Sequence, residues 1–373
     1  MNTKTVAIQF IIFFIFLELG SFLGTRFELF FVNSTPSLYA KNKLPDILKG
    51  RTEKHAWGSW HKLNQNYRHS KDCFDVTYSF NEVGARDSSF KDTKKNAILL
   101  LGDSFAEGFG VNYEDTSQYI LEKKIKRDIL NFGTQGIGPL SKLLIYKNFR
   151  EKYAHETVLI YIFPSNDFSD NDKDVWRDID KTRYRPYYSD GLNPLEPYYF
   201  EEAQKRESFD SILGIRSFIK ENFWFSNALR SLLLIVRGEA SFLEEYIEGS
   251  FPQSYYYDAA NIQQKNLIKA YQAIARLANE KKLIFVVIPS QSDILRYKLS
   301  NFDKSYKNQK WYKAFQELSS DDNEIFFLDL MQSLPSYTDE LFLSCDAHWS
   351  SYGNIWTADT IEKFMNQAGI LEK

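Results

Sequence analysis

Four short segments of this chain carry residue types that together suit acyl transfer. The first is Gly102-Asp103-Ser104-Phe105-Ala106-Glu107-Gly108. Glycines beside a serine permit a tight turn and leave room for substrate. Placed after a strand and before a helix, the Ser104 hydroxyl would stand where open α/β sheets bind ligands, near amides that favour developing negative charge. The second segment, Asn131 to Gly138 (NFGTQGIG), has three glycines whose exposed amides are what an oxyanion needs. In the third, Pro164-Ser165-Asn166-Asp167, the Asn166 amide can donate a further hydrogen bond. The fourth is Asp346-Ala347-His348-Trp349. A neutral imidazole accepts a serine proton while a carboxylate on its other nitrogen fixes the tautomer. Of five histidines, His348 alone combines an acidic residue two positions before it with a strand–helix context. Singly, each segment has a structural explanation; the first could be a phosphate-binding or purely structural turn. Jointly they supply nucleophile, oxyanion donors, base and orienter.

Those residues need a sheet edge to bring them together. Short apolar runs predict strands at Asn96–Leu101, Asp128–Phe132, Thr157–Phe163, Leu283–Ile288 and Glu324–Leu328. Helical patterns lie between and after them, at Asp115–Lys126, Leu140–Lys152, Ile262–Asn279, Trp311–Leu318 and Tyr352–Gln367. This alternation predicts an α/β fold, a parallel sheet with helices on both faces, and places the four segments along one edge. Residues 168–255 interrupt the rhythm as an insertion. Its amphipathic stretch Ser226–Val236 reads either as a lid over the cleft or as extra core helix.

With these motifs quoted, the sequence resembles the SGNH/GDSL hydrolase family over residues 96–360, through GDSFAEG, NFGTQG, PSND and DAHW. The resemblance implies a flavodoxin-like three-layer α/β/α sandwich. It implies Ser104 as nucleophile, His348 as base and Asp346 as orienter. The Ser104 amide, Gly136 and Asn166 would form the oxyanion hole. Asn81-Glu82-Val83-Gly84-Ala85-Arg86-Asp87 looks like the N-x-x-G-x-R-D lead-in of membrane-anchored bacterial members. Two departures stand out. Pro164 replaces the glycine of the usual GxND, and DxH replaces DxxH. The latter, followed by Trp349, is similar to the DxHW of polysaccharide acetylation proteins, including those acting on alginate.

The amino terminus bears on compartment. Phe10–Leu17 is unbroken apolar sequence, and Thr5–Gly24 is long enough to span hydrocarbon. Gln9 and Glu18 interrupt it. With no small-x-small site directly after the run, an uncleaved signal anchor is expected over residues 1–24, against a cleaved signal or a buried soluble helix. An approach segment, 25–95, and the hydrolase-like domain, 96–373, follow, placed in the periplasm or at the cell surface.

The 373 residues are 43% apolar and 25% charged, ordinary for a globular protein, and carry a net charge of −3. No concentrated basic face suggests nucleic acid. Cys73 and Cys345 form no C-x-x-C pair, so no zinc site is expected; they are read either as two thiols or as one disulfide pinning the approach segment beside the catalytic loop. The acids from Asp167 to Asp180 lack the glycine and glutamate of a calcium loop and read as a solvated stretch. Trp57, Trp60 and the tyrosines at 187, 188, 198 and 199 read as packing residues rather than sugar platforms. The expectation is a cofactor-free serine esterase acting on an ester-bearing small molecule, lipid or glycan. An O-acetyltransferase or accessory protein in polysaccharide acetylation, and a catalytically silent binding module, remain as rivals.

Overall fold

The computed structural model describes the chain except residues 1–2, 28, 30–35, 37, 41–42, 72, 191–192, 194, 206–217, 220–221, 237–254, 259–260, 300–314, 316–323 and 372–373. Five strands form one parallel sheet: Ala97–Leu101 (β1), Ile129–Asn131 (β2), His155–Ile162 (β3), Lys282–Val287 (β4) and Ile325–Asp329 (β5). Their order is β2-β1-β3-β4-β5. Every residue of β1 is buried, as expected of a parallel strand covered on both faces. All five strands match their expected positions to within about two residues.

Helix packing follows from this order. Moving from β1 to β2 and then back across β1 to β3 reverses direction, so right-handed crossovers put successive helices on opposite faces. Accordingly Ser117–Ile125 packs with the closing helix Ser351–Gln367, and Pro139–Phe149 packs with Asn261–Ala278. The closing helix starts at Ser350, whose hydroxyl accepts from the Gly353 amide at 3.2 Å. The helix expected at Trp311–Leu318 lies outside the described residues save for Phe315, a buried ring near Tyr271 and Phe285. Direction reverses between β1 and β3, so the carboxyl ends of these two strands flank the crevice where such sheets bind ligands.

The approach segment contributes two antiparallel hairpins, Glu53–His55 with Gly58–Trp60 and Asn66–Lys71 with Phe74–Ser79. Trp57 and Trp60 join the main core. Phe74, Val76 and Tyr78 form a second cluster with Phe109, just beyond the Ser104 turn. Cys73 and Cys345 are joined as a disulfide, Cα atoms 5.6 Å apart, across 272 positions of sequence. Closing so long a loop restricts the unfolded chain by an amount on the order of 5 kcal/mol.

The amino-terminal helix, Thr3–Arg26, is long and apolar enough to cross a membrane. Its polarity is inverted relative to a soluble helix: Phe10 is 74% exposed and Phe16 69%, whereas Glu18 and Ser21 face the protein. Glu18 accepts from the amides of Trp224 (2.6 Å) and Phe225 (3.1 Å), which cap the helix Phe225–Val236. Thus the amphipathic stretch expected to be a lid or a core helix lies against the apolar amino-terminal helix instead. The rings of Phe14 with Phe223, and of Phe22 with Trp224, are 5.2 and 5.5 Å apart. The acid-rich stretch, expected to be solvated, is buried at its start: Asp167 and Asp170 are inside the fold, Asp170 pairs with Arg185 at 2.7 Å, and Asp172 caps Lys173–Ile179.

Candidate active site

Ser104 follows β1 directly and opens the single helical turn Ser104–Glu107. Asp103 caps that turn, accepting from the Phe105 amide at 3.0 Å. The turn is clamped from below by Arg86, buried and laid over the Tyr78 ring at 3.5 Å. Its guanidinium donates to the carbonyls of Glu107, Gly108 and Val111. Neighbouring Asp87 accepts from the Asn131 amide at 2.9 Å, and Asn131 in turn donates to the Ala106 carbonyl at 2.6 Å. The N-x-x-G-x-R-D lead-in therefore ties the serine turn to the end of β2.

His348 arrives on a tight loop in which Phe342 and Trp349 bridge antiparallel and Leu343 donates to the His348 carbonyl at 2.8 Å. The His348 Nε2 lies 2.6 Å from Ser104 Oγ. On the opposite nitrogen, Nδ1 is hydrogen-bonded to Asp346 Oδ1, which also accepts from the His348 amide at 3.1 Å. The DxH spacing thus lets one carboxylate oxygen hold both ring and backbone. Lys71, on the second hairpin, pairs with the other oxygen. Burial alone would raise the Asp346 carboxyl, but the hydrogen bonds from His348 and Lys71 outweigh it and hold the group well below the usual carboxylate range. Phe109 stacks on the imidazole, centroids 4.0 Å apart and planes 16° from parallel.

Pro164 is the first residue of the turn Pro164–Asp167, where a missing N–H costs nothing because that donor has no intrahelical partner anyway. The departure from GxND is therefore compatible with the motif's local shape. Asp167 anchors this turn from inside the fold: Lys142 Nζ reaches its oxygens at 2.6 and 2.8 Å and the Tyr161 carbonyl at 2.8 Å. Burial pushes the Asp167 carboxyl up, and the Lys142 ammonium opposes it. Burial pushes the Asp103 carboxyl up, opposed by Lys142, the Phe105 amide and, more weakly, the Asn166 amide. Gly136 adopts φ +65, where any other residue is strained, and a Cβ there would have to displace the Arg183 guanidinium, 1.8 Å away. Its carbonyl accepts from Arg185.

A serine, an imidazole and a carboxylate are thus joined in one hydrogen-bonded chain at the switch point of a doubly wound sheet. Residues 251–373 match the family model described as "SGNH hydrolase-like domain, acetyltransferase AlgX". Over that span the chain is similar to the SGNH hydrolases, and its parallel sheet with helices on both faces is the architecture that this resemblance implies. The match covers the last third of the chain and includes Asp346 and His348; Ser104 lies before it. Among solved structures, the chain is similar to a lipase/acylhydrolase from Enterococcus faecalis, at 14% identity and TM-score 0.36, over 73% of this chain and 96% of that one. It is similar to a G-D-S-L family lipolytic protein from Veillonella parvula, at 12% and 0.36, over 73% and 98%. A family two carbohydrate esterase from Clostridium thermocellum is similar at 10% and 0.37, over 74% and 66%. At such values these likenesses bear on neither substrate nor mechanism. No curated protein matches the sequence.

The structure brings Ser104, His348 and Asp346 into one hydrogen-bonded chain. Lys71 and Phe109 were not foreseen. Lys71 has no local signal at all, since it is 275 residues from its partner. Arg86 did have one, the lead-in motif that contains it.

Proposed function

We propose that this protein is a serine-dependent acyl hydrolase. The observation that carries the reading is the 2.6 Å Ser104–His348 contact with Asp346 on the far ring nitrogen. His348 Nε2 takes the Ser104 proton as Oγ attacks an ester carbonyl. The amides of Ser104 and Gly136, with the Asn166 side chain, take up the oxyanion. His348 then returns the proton to the departing alcohol. Water, deprotonated by the same nitrogen, attacks the acyl-enzyme and releases the acid. Asp346, kept ionised, stabilises the imidazolium in both halves. The disulfide and the amino-terminal helix favour an oxidising, extracytoplasmic site on a membrane tether.

The test is intact-mass analysis of the full chain in detergent after treatment with a fluorophosphonate. One adduct is expected, absent from Ser104→Ala and much slower to form in His348→Ala. A folded parent protein that takes no adduct removes the reading. The acetyltransferase in the family description favours a second reading, in which a sugar hydroxyl replaces water in the last step. Acetylated sugar, measured against free acetate, separates the two.

A further inference from the structure

A cleft opens beside the loop Gln135–Ile137. Gln135 of this loop both lines the cleft and donates its amide to Glu107 Oε2 of the serine turn at 3.0 Å. The hollow, about 340 Å³, is walled by the first hairpin and by residues 180–185 of the insertion. Arg51, Lys54, Arg183 and Arg185 line it, and Asp180 is the carboxylate among its described lining residues. Asp180 is already engaged by the Thr182 amide and hydroxyl. Asp170 pairs with Arg185 at 2.7 Å and acts on Arg183 only through its field. Arg51 likewise feels the field of Glu107, but no carboxylate among the described residues is in direct ion-pair contact with Arg51 or Arg183.

The wall is also short of acceptors. Arg51 Nε, Trp57 Nε1, Gln135 Nε2 and Arg185 Nε are buried without a hydrogen-bond partner. All four are donors, on four side chains that line one hollow. Unpaired buried donors are rare and call for an explanation, and a cluster made only of donors and cations calls for an acceptor carrying negative charge. Each guanidinium presents five N–H groups in a planar fork that matches a carboxylate or phosphate.

We infer that this cleft is a subsite for an acidic group, carboxylate or phosphate, on the substrate whose acyl ester is presented at Ser104. The inference rests on the proposed function for the word substrate, and on the cleft alone for the binding. Gly136 links the two sites: its carbonyl is held by Arg185 and its Cβ position is filled by Arg183. An anion drawn between these arginines would bear directly on the loop whose amide is proposed to hold the oxyanion.

The test is calorimetric titration of the full chain in detergent with glycerol 3-phosphate, glycerate and glycerol, which share a skeleton and differ in the acidic group. One anionic probe is expected to bind at least about 10-fold tighter than glycerol, and the tighter of the two names the group. Arg183→Gln should weaken that probe about 10-fold or more, and Arg183→Lys should fall between, since charge without the fork is retained. Ser104→Ala should bind it like the parent, so the subsite stands or falls separately from the serine chemistry. Equal binding of all three probes, or an Arg183→Gln protein that binds the anion as the parent does, overturns the inference.

Discussion

Two histidines of this chain each stand between a carboxylate and a hydroxyl, and each is stacked on a phenylalanine. His348 has Asp346, Ser104 and Phe109. His61 has Glu107 at 2.8 Å, Thr134 at 3.3 Å and Phe80, ring centroids 3.8 Å apart. They differ in wiring. His348 meets carboxylate and hydroxyl on opposite nitrogens, so a proton taken at Nε2 is balanced at Nδ1. His61 meets both on Nε2, and its Nδ1 is buried without a partner. They differ in solvent too: the His348 side chain is 22% exposed and that of His61 1%. Burial holds His61 low, so it stays neutral and donates to Glu107. The same three chemical groups are therefore wired as the proposed relay requires in one place and as a brace in the other. Hydrogen-bond topology, more than composition, separates them.

The largest effect that would break this comparison is a swap of phenotypes. His348→Ala should lower turnover of a small activated ester about 10⁴–10⁶-fold while leaving the melting temperature near the parent's. His61→Ala should do the reverse. It leaves the Glu107 carboxylate buried without its main partner, at a cost of about 3 kcal/mol or more, while its folded fraction still reacts with a fluorophosphonate. If His61→Ala were stable and inactive, His61 would belong to the chemistry. The carboxylates sharpen the contrast. Asp346→Asn should cost about 10²–10⁴ in turnover with little loss of stability, and Glu107→Gln should mainly cost stability, both read from paired kinetics and thermal melts.

Next in size is the disulfide. Cys345 adjoins Asp346, and Cys73 sits in the turn of the hairpin that carries Lys71. Cys73→Ser with Cys345→Ser should lower stability by about 3–5 kcal/mol. It should also slow turnover, because it frees the loop that carries Asp346. His61 lies outside this loop, and its hydrogen bond with Glu107 should persist, visible as an unchanged imidazole resonance. Unaltered stability in the double variant would show that the loop is held by the Phe342–Trp349 bridge alone.

What the sequence made legible follows from range. Buried parallel strands read as continuous apolar runs, so Ala97–Leu101 and Lys282–Val287 announce themselves, and the residues just after them inherit a place at the sheet edge. The segments bearing Ser104 and Asn166 were readable for that reason, whereas His348, well beyond the last strand, was readable only from its DxHW motif. The rest depends on contacts that no local pattern encodes. The hairpins of residues 53–79 are two-stranded and take their burial from Phe109 and the main core. Lys71 meets Asp346 only through them. The basic cleft draws Arg51, Gln135 and Arg183 from three separate segments. Glu18 looked like a flaw in an apolar helix until Trp224 and Phe225 supplied its donors.

The smallest expected effect concerns Lys71, and its sign is set by linkage. The Asp346 carboxyl is held below its ordinary value near 4, so its contribution to stability is complete above about pH 5 and lost as pH falls toward the depressed native value. Removing Lys71 takes away one of the two groups that outweigh burial, and the native value must rise. Lys71→Met should therefore have less of this contribution to lose and should have lost all of it at a higher pH, moving the acid-unfolding midpoint upward. At pH 7 the cost should be no more than about 1 kcal/mol, because the Lys71 side chain is 37% exposed and water screens the pair. His348 still holds Asp346, so turnover at pH 7 should fall by less than about 10-fold. Acid titration followed by circular dichroism checks the midpoint. A midpoint that does not move would mean that His348 alone fixes the ionisation of Asp346, and that the hairpin steers the site by shape and not by charge.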